Sequence, residues 1–129
     1  MTGRMTTTLL IVTLWLAQAA DAPKKGGNPE AAKVRNPVAS SPESIAAGKR
    51  VYQRLCTKCH GPEGRGDGEA ATGAPPSDLT AATLQYGSSD GELFSVLRHG
   101  TSRDMESYAE RISDTDTWNV INYVRTLRK

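Results

Sequence analysis

The sequence is poor in the residues that fill a protein interior. Its 129 residues include one phenylalanine, two tryptophans and four tyrosines, so a core built from this chain has little aromatic bulk. Long apolar runs are missing too. Leu9 to Ala17, broken only by Thr13, spans nine residues, whereas a membrane-crossing helix needs about 20. No stretch alternates apolar and polar residues with period two, which argues against strands, and no segment repeats. An excess of one charge is absent from most of the chain. Residues 43–129 carry eleven Lys and Arg against twelve Asp and Glu, and a near-neutral domain gives no reason to expect nucleic-acid binding. Cysteine occurs only twice.

Both cysteines stand in Cys56-Thr57-Lys58-Cys59-His60, the spacing used for covalent attachment of a c-type haem. Each sulfur can add to one vinyl group on one edge of the porphyrin. The histidine that follows is then held under the ring, where its neutral nitrogen can bind iron. Three other readings compete. A structural zinc site needs four ligands, and the only other histidine, His99, is far away with no further cysteine beside it. A thioredoxin-like pair belongs at a strand-to-helix junction, and no strand run precedes Cys56. A plain disulfide would leave His60 without a purpose.

The N-terminus reads as an export signal over residues 1–20. Arg4 supplies the positive charge, Leu9 to Ala17 the apolar stretch, and Ala17-Gln18-Ala19 or Ala20-Asp21-Ala22 a small-residue cleavage site near 19–22. A retained membrane anchor is the alternative. From 21 to 42 the chain is rich in proline, lysine and small residues, with Val34 and Val38 its only large aliphatics. So little apolar surface does not offset ordering entropy, and the segment reads as a flexible linker. One small domain, 43–129, then follows. A domain of that size has a marginal core, which a bound haem would enlarge.

Helix signals fill this domain. Ser41-Pro42-Glu43 combines a capping serine, a proline at the first position and an acid in the first turn. Ile45, Gly48, Tyr52 and Leu55 follow at helical spacing and lead to Cys56. Ser89-Asp90-Gly91-Glu92 is a capping box, and its helix should stop at Gly100. Ser113-Asp114-Thr115-Asp116 opens a third helix with Val120, Ile121, Val124 and Leu127 as its apolar stripe. Gly61 to Gly68 and Gly73 to Asp78 read as turns, with a short helical turn expected at Thr80 to Leu84. The fold class is all-α.

These residues together resemble the class I c-type cytochromes of the small, single-haem bacterial type. The resemblance covers Glu43 to Lys129 and rests on Gly48, Tyr52, the haem motif with Gly61, the Gly64-x-Gly66-x-Gly68 loop, and the last helix around Trp118 and Tyr123. It implies a small cytochrome c fold, roughly three to five helices packed around one covalently bound haem c with its iron. It implies a close crossing of the first and last helices, Gly48 meeting the ring of Trp118 or Tyr123. It also implies that a proline carbonyl, Pro75 or Pro76, accepts the second N–H of His60. The sixth iron ligand is expected from Met105, in the loop Gly100 to Met105, although Glu106 stands where the family usually has proline. His99 is the rival ligand, and an open or water-bound iron is the remaining alternative.

With Cys56 and Cys59 holding the haem, and His60 and Met105 filling both axial positions, the expected function is single-electron transfer rather than an enzymatic reaction. No acid–base constellation stands out elsewhere. The resemblance implies an exported, periplasmic monomer shuttling between redox donor and acceptor proteins associated with a membrane. Two alternatives remain open, a haem-based gas sensor with a displaceable sixth ligand and an electron-entry module of a larger redox complex. Lys58, Arg65, Arg98 and Arg103 are candidate steering charges for an acidic partner.

Overall fold

Serine caps set where the helices begin. The computed structural model describes residues 22–71 and 73–129 and contains α1 (Pro29–Ala32), α2 (Pro42–Leu55), α3 (Thr57–His60), α4 (Asp90–His99) and α5 (Asp114–Leu127). The hydroxyls of Ser41, Ser89 and Ser113 accept from the backbone N–H of Ser44, Glu92 and Asp116, satisfying donors that have no partner inside the helix. At Ser89 the box is complete, because Glu92 returns the bond to the Ser89 N–H at 2.9 Å. Gly100, with φ +70°, ends α4 as expected. No strand occurs among the described residues. Thr80 to Leu84 forms turns and bends instead of the expected helical turn.

α2 lies against α5. Val51 and Tyr52 from one helix and Val120 and Val124 from the other form one buried cluster with Ile112. The atoms nearest to Gly48 on α5 belong to the backbone and not to an aromatic ring. A Cβ on Gly48 would fall on the Asn119 carbonyl and within 2.9 Å of Val120 Cα, so backbone meets backbone. A polar network closes the crossing. Ser44 Oγ donates to Asn119 Oδ1 (2.7 Å), and Asn122 Nδ2 donates to Ser44 Oγ (2.8 Å). Tyr123 instead tilts against Tyr52 at 5.2 Å, and Trp118 stacks on Phe94 of α4 at 4.0 Å.

The flexible linker expected over 21–42 is corrected by the structure, in which residues 22–41 form a strap packed on α4 and α5. Asn28 and Ala31 are 1% and 2% exposed. Asn36 Nδ2 donates to Asn122 Oδ1 at 2.8 Å, and Asn122 Nδ2 donates to the Val38 carbonyl at 3.1 Å. Gly91 lets the strap lie directly on α4, since a Cβ there would meet the Ala31 and Val34 carbonyls. Glu92 is the central latch. Its carboxylate accepts from the backbone N–H of Asn28 and Ser88 and from Ser89 Oγ. Burial pushes its pKa up, and the hydrogen bonds from Ser89, Asn28 and Ser88 outweigh this, leaving it below the ordinary carboxylate value. Hydrogen bonds between residues far apart in sequence hold the strap, so its low aliphatic content was a poor guide. The export signal expected at 1–20 lies outside the described residues. No helix among those described is long and apolar enough to cross a membrane.

Candidate functional site

Cys56 caps α2 and starts the next turn without a break. Its N–H donates to the Tyr52 carbonyl at 2.8 Å, and its own carbonyl accepts from His60 N–H at 2.9 Å. This single turn brings Cys56, Cys59 and His60 onto the wall of one cavity. Gly61, at φ +78°, ends the turn, and its carbonyl accepts from Tyr52 Oη at 2.7 Å. The chain then doubles back along the motif. Gly66, Gly68 and Ala70 donate to the carbonyls of His60, Cys59 and Lys58 at 2.8, 3.0 and 2.9 Å. A Cβ at Gly66 would strike the Pro76 carbonyl, and one at Gly68 the Lys58 carbonyl. The glycine loop thus braces the whole motif from behind.

His60 is oriented by Ser77, the residue after the two prolines expected to do so. Nδ1 lies 3.1 Å from the Ser77 carbonyl. A carbonyl only accepts, so Nδ1 carries the proton and Nε2 keeps a lone pair for a metal. Burial pushes the His60 pKa below its usual value, partly opposed by the Ser77 bond, which favours the neutral ring a metal requires. Burial, with a smaller contribution from Cys59, also pushes the Cys56 thiol up to about 12. No disulfide joins Cys56 and Cys59. A buried, protonated Cys56 is unlike the low-pKa thiolate of a thioredoxin-type centre.

The cavity measures about 470 Å³, within the size range of small-molecule and cofactor sites. Leu55, Leu79, Leu93, Val96 and Leu97 give it apolar walls. Met105 lines it as well, held by a loop sewn to the end of α4. Thr101 N–H donates to the Met105 carbonyl at 2.9 Å, Ser107 Oγ to the Arg98 carbonyl at 2.6 Å, and Tyr108 N–H to the Leu97 carbonyl at 2.8 Å. His99 is exposed and does not line the cavity. Among the described residues no three His, Cys, Asp or Glu side chains gather as a metal site. A haem does not require such a group, because its ring supplies four nitrogens and the protein needs only axial donors. Two thiols, one neutral imidazole, one thioether and apolar walls around a single cavity fit that cofactor. The sequence reading missed Ser77 and Tyr108. Only their backbone and long-range contacts mark them, Tyr108 Oη donating to the Leu55 carbonyl at 3.4 Å.

A family model described as cytochrome c oxidase, cbb3-type, subunit III matches residues 43–124. The cbb3-type cytochrome c oxidase subunit CcoP of Azospirillum sp. (strain B510) is 30% identical over 95 residues, covering 71% of this chain and 31% of that protein. The corresponding subunit FixP of Bradyrhizobium sp. (strain ORS 278) is 30% identical over 82 residues, covering 64% and 27%. The chain therefore spans less than a third of these curated relatives. Among solved structures, a chain of the Kuenenia stuttgartiensis reducing HAO-like protein complex superposes with TM-score 0.67 at 33% identity, over 76% of this chain and 49% of that one. Cytochrome CL from Methylophaga aminisulfidivorans MPT, at 21% identity, covers 68% of this chain and 55% of that one with TM-score 0.58, and shows a shared fold.

Proposed function

The chain belongs to the family of cbb3-type cytochrome c oxidase subunit III and is a class I c-type cytochrome domain with a covalent haem c, and on that premise we propose that it carries single electrons to or within a larger redox complex. Cys56 and Cys59 would hold the haem by thioether bonds, with His60 Nε2 and the Met105 sulfur as axial ligands. The group supplies one reversible Fe(III)/Fe(II) electron exchange. The Ser77 carbonyl fixes the His60 ring and makes it a better donor. Leu55, Leu93 and Leu97 would give the haem ring apolar surface to pack on. The single observation that carries the reading is the convergence of His60 and Met105 on the cavity that also receives both cysteines.

A haem held by both His60 and Met105 would exchange single electrons and would leave the domain no catalytic role of its own. Relatives named as oxidase subunits favour an oxidase complex as the electron acceptor. Export of a monomeric domain 43–129 to the periplasm, behind a signal at 1–20, completes the proposal. Charge steering toward an acidic partner has limited support. Arg65 is paired with Glu63 (2.9 Å) and Arg98 with Asp114 (3.2 Å), which leaves Lys58 and Arg103 exposed and without an ion pair among the described residues.

Carbon monoxide separates this reading from the gas-sensor alternative. The reduced wild-type protein is expected to keep its spectrum when the gas is added, since a methionine-ligated iron offers no vacant position. A rapid spectral change at near-stoichiometric carbon monoxide would favour the sensor.

A further inference from the structure

The strap lies outside the residues matched by the family model, yet it reaches the cavity. It turns at Gly26 and Gly27, with φ +85° and +106°, values that suit glycine. Gly27 N–H donates to the Lys24 carbonyl at 3.0 Å and Gly26 N–H to the Gln85 carbonyl at 2.8 Å. Asn28 N–H then donates to Glu92 Oε1 at 2.9 Å. These bonds fix the backbone on both sides of Lys25 and bring that residue to the cavity wall, beside Gln85, Tyr86 and Gly87. Among the described residues Lys25 is the only lysine or arginine that lines the cavity. It makes no ion pair among the described residues.

Besides its iron, a haem brings two carboxylates. In a cavity with apolar walls such groups need a cation or hydrogen-bond donors. Asp104, on the methionine loop, is the one carboxylate among the described residues that lines the cavity, and it would repel them. Lys25 would attract them. We propose that Lys25 is a positioning residue that pairs with a carboxylate of the bound haem, so that the strap forms part of the cofactor site. This deepens the haem reading given above and rests on it. Arg128 lies against the segment that follows Gln85, Tyr86 and Gly87. Its Nη1 donates to the Ser88 carbonyl at 3.1 Å, while Nε and Nη2 are buried without a partner. Arg128 does not line the cavity, and it serves as the control cation.

The test is the reduction potential of the full-chain haem protein as a function of pH. Wild type is compared with Lys25→Gln, Lys25→Arg and Arg128→Gln. The other titratable groups facing the cavity are His60, Asp104, Tyr52, Tyr86 and Tyr108, besides the two cysteines, and they are the same in every variant. Removing the ammonium should move the acidic inflection of the potential upward by about one pH unit, at the low end of the usual range because Lys25 reaches solvent. Lys25→Arg should restore the wild-type inflection. An unchanged inflection in Lys25→Gln overturns the assignment, even if the melting temperature falls, because strap docking alone would explain that fall. An inflection moved by Arg128→Gln and not by Lys25→Gln overturns it too. A wild-type protein with no haem couple at all would instead overturn the haem reading on which it rests.

Discussion

Replacing Met105 by alanine is expected to open the sixth iron position, so that the reduced protein binds carbon monoxide and the oxidised protein loses low-spin character. Met105 lines the same cavity as His60. Its loop is pinned by Gly100, where a Cβ would lie 2.7 Å from both the Met105 carbonyl oxygen and the Ser107 nitrogen. No other methionine lies in residues 43–129. Met105→His should keep six ligands but lower the reduction potential, because imidazole stabilises Fe(II) less than thioether does. The drop should be on the order of one to a few tenths of a volt, inside the ~0.8 V range that axial ligands span. His99→Ala should leave the spectrum unchanged, since His99 is exposed and off the cavity wall. If the alanine variant at 99 loses low-spin character and the one at 105 keeps it, the ligand is His99.

Gly48→Ala is expected to destabilise the fold strongly although alanine is the better helix former. The propensity gain is about 1 kcal/mol. Against it, the new methyl would collide with the Asn119 carbonyl and Val120 Cα, which are backbone atoms and cannot rotate away. α2 and α5 would have to separate, straining the Ser44–Asn119 and Asn122–Ser44 hydrogen bonds. Overpacking of this kind costs about 1–3 kcal/mol, occasionally more, and the disturbed network adds to it. A net loss of about 2 kcal/mol should lower the melting temperature by roughly 10–15 °C in a domain this small. Thermal unfolding followed by circular dichroism is the check. An unchanged or raised midpoint would mean that the helices do not cross at Gly48.

Most of the site was legible because its chemistry is local. The motif Cys56 to His60 needs one helical turn to gather its ligands, and Ser41, Ser89 and Ser113 announce their helices through bonds only three residues long. Met105 stood out as a lone thioether in a polar loop, and the structure places it on the cavity wall. What stayed hidden depends on distant partners. Ser77 orients His60 through a backbone carbonyl, which any residue type would provide. The strap is held by Asn28 to Glu92 and Asn36 to Asn122, pairs that lie 64 and 86 positions apart. Its proline- and lysine-rich composition suggested a linker because hydrogen bonding leaves no mark on aliphatic content. Gly48 was recognised as a crossing point, but the atoms nearest to it are the backbone of Asn119 and Val120, which leave no mark in side-chain identity.

The most direct test of the account is the intact mass of the protein after denaturation in acid and organic solvent. One haem joined through Cys56 and Cys59 should survive this treatment, giving a red polypeptide with the mass of the chain plus one haem. The variant with both cysteines changed to alanine should show the mass of the chain alone. Colour that passes into the organic phase, leaving wild-type polypeptide at its bare mass, would contradict the account.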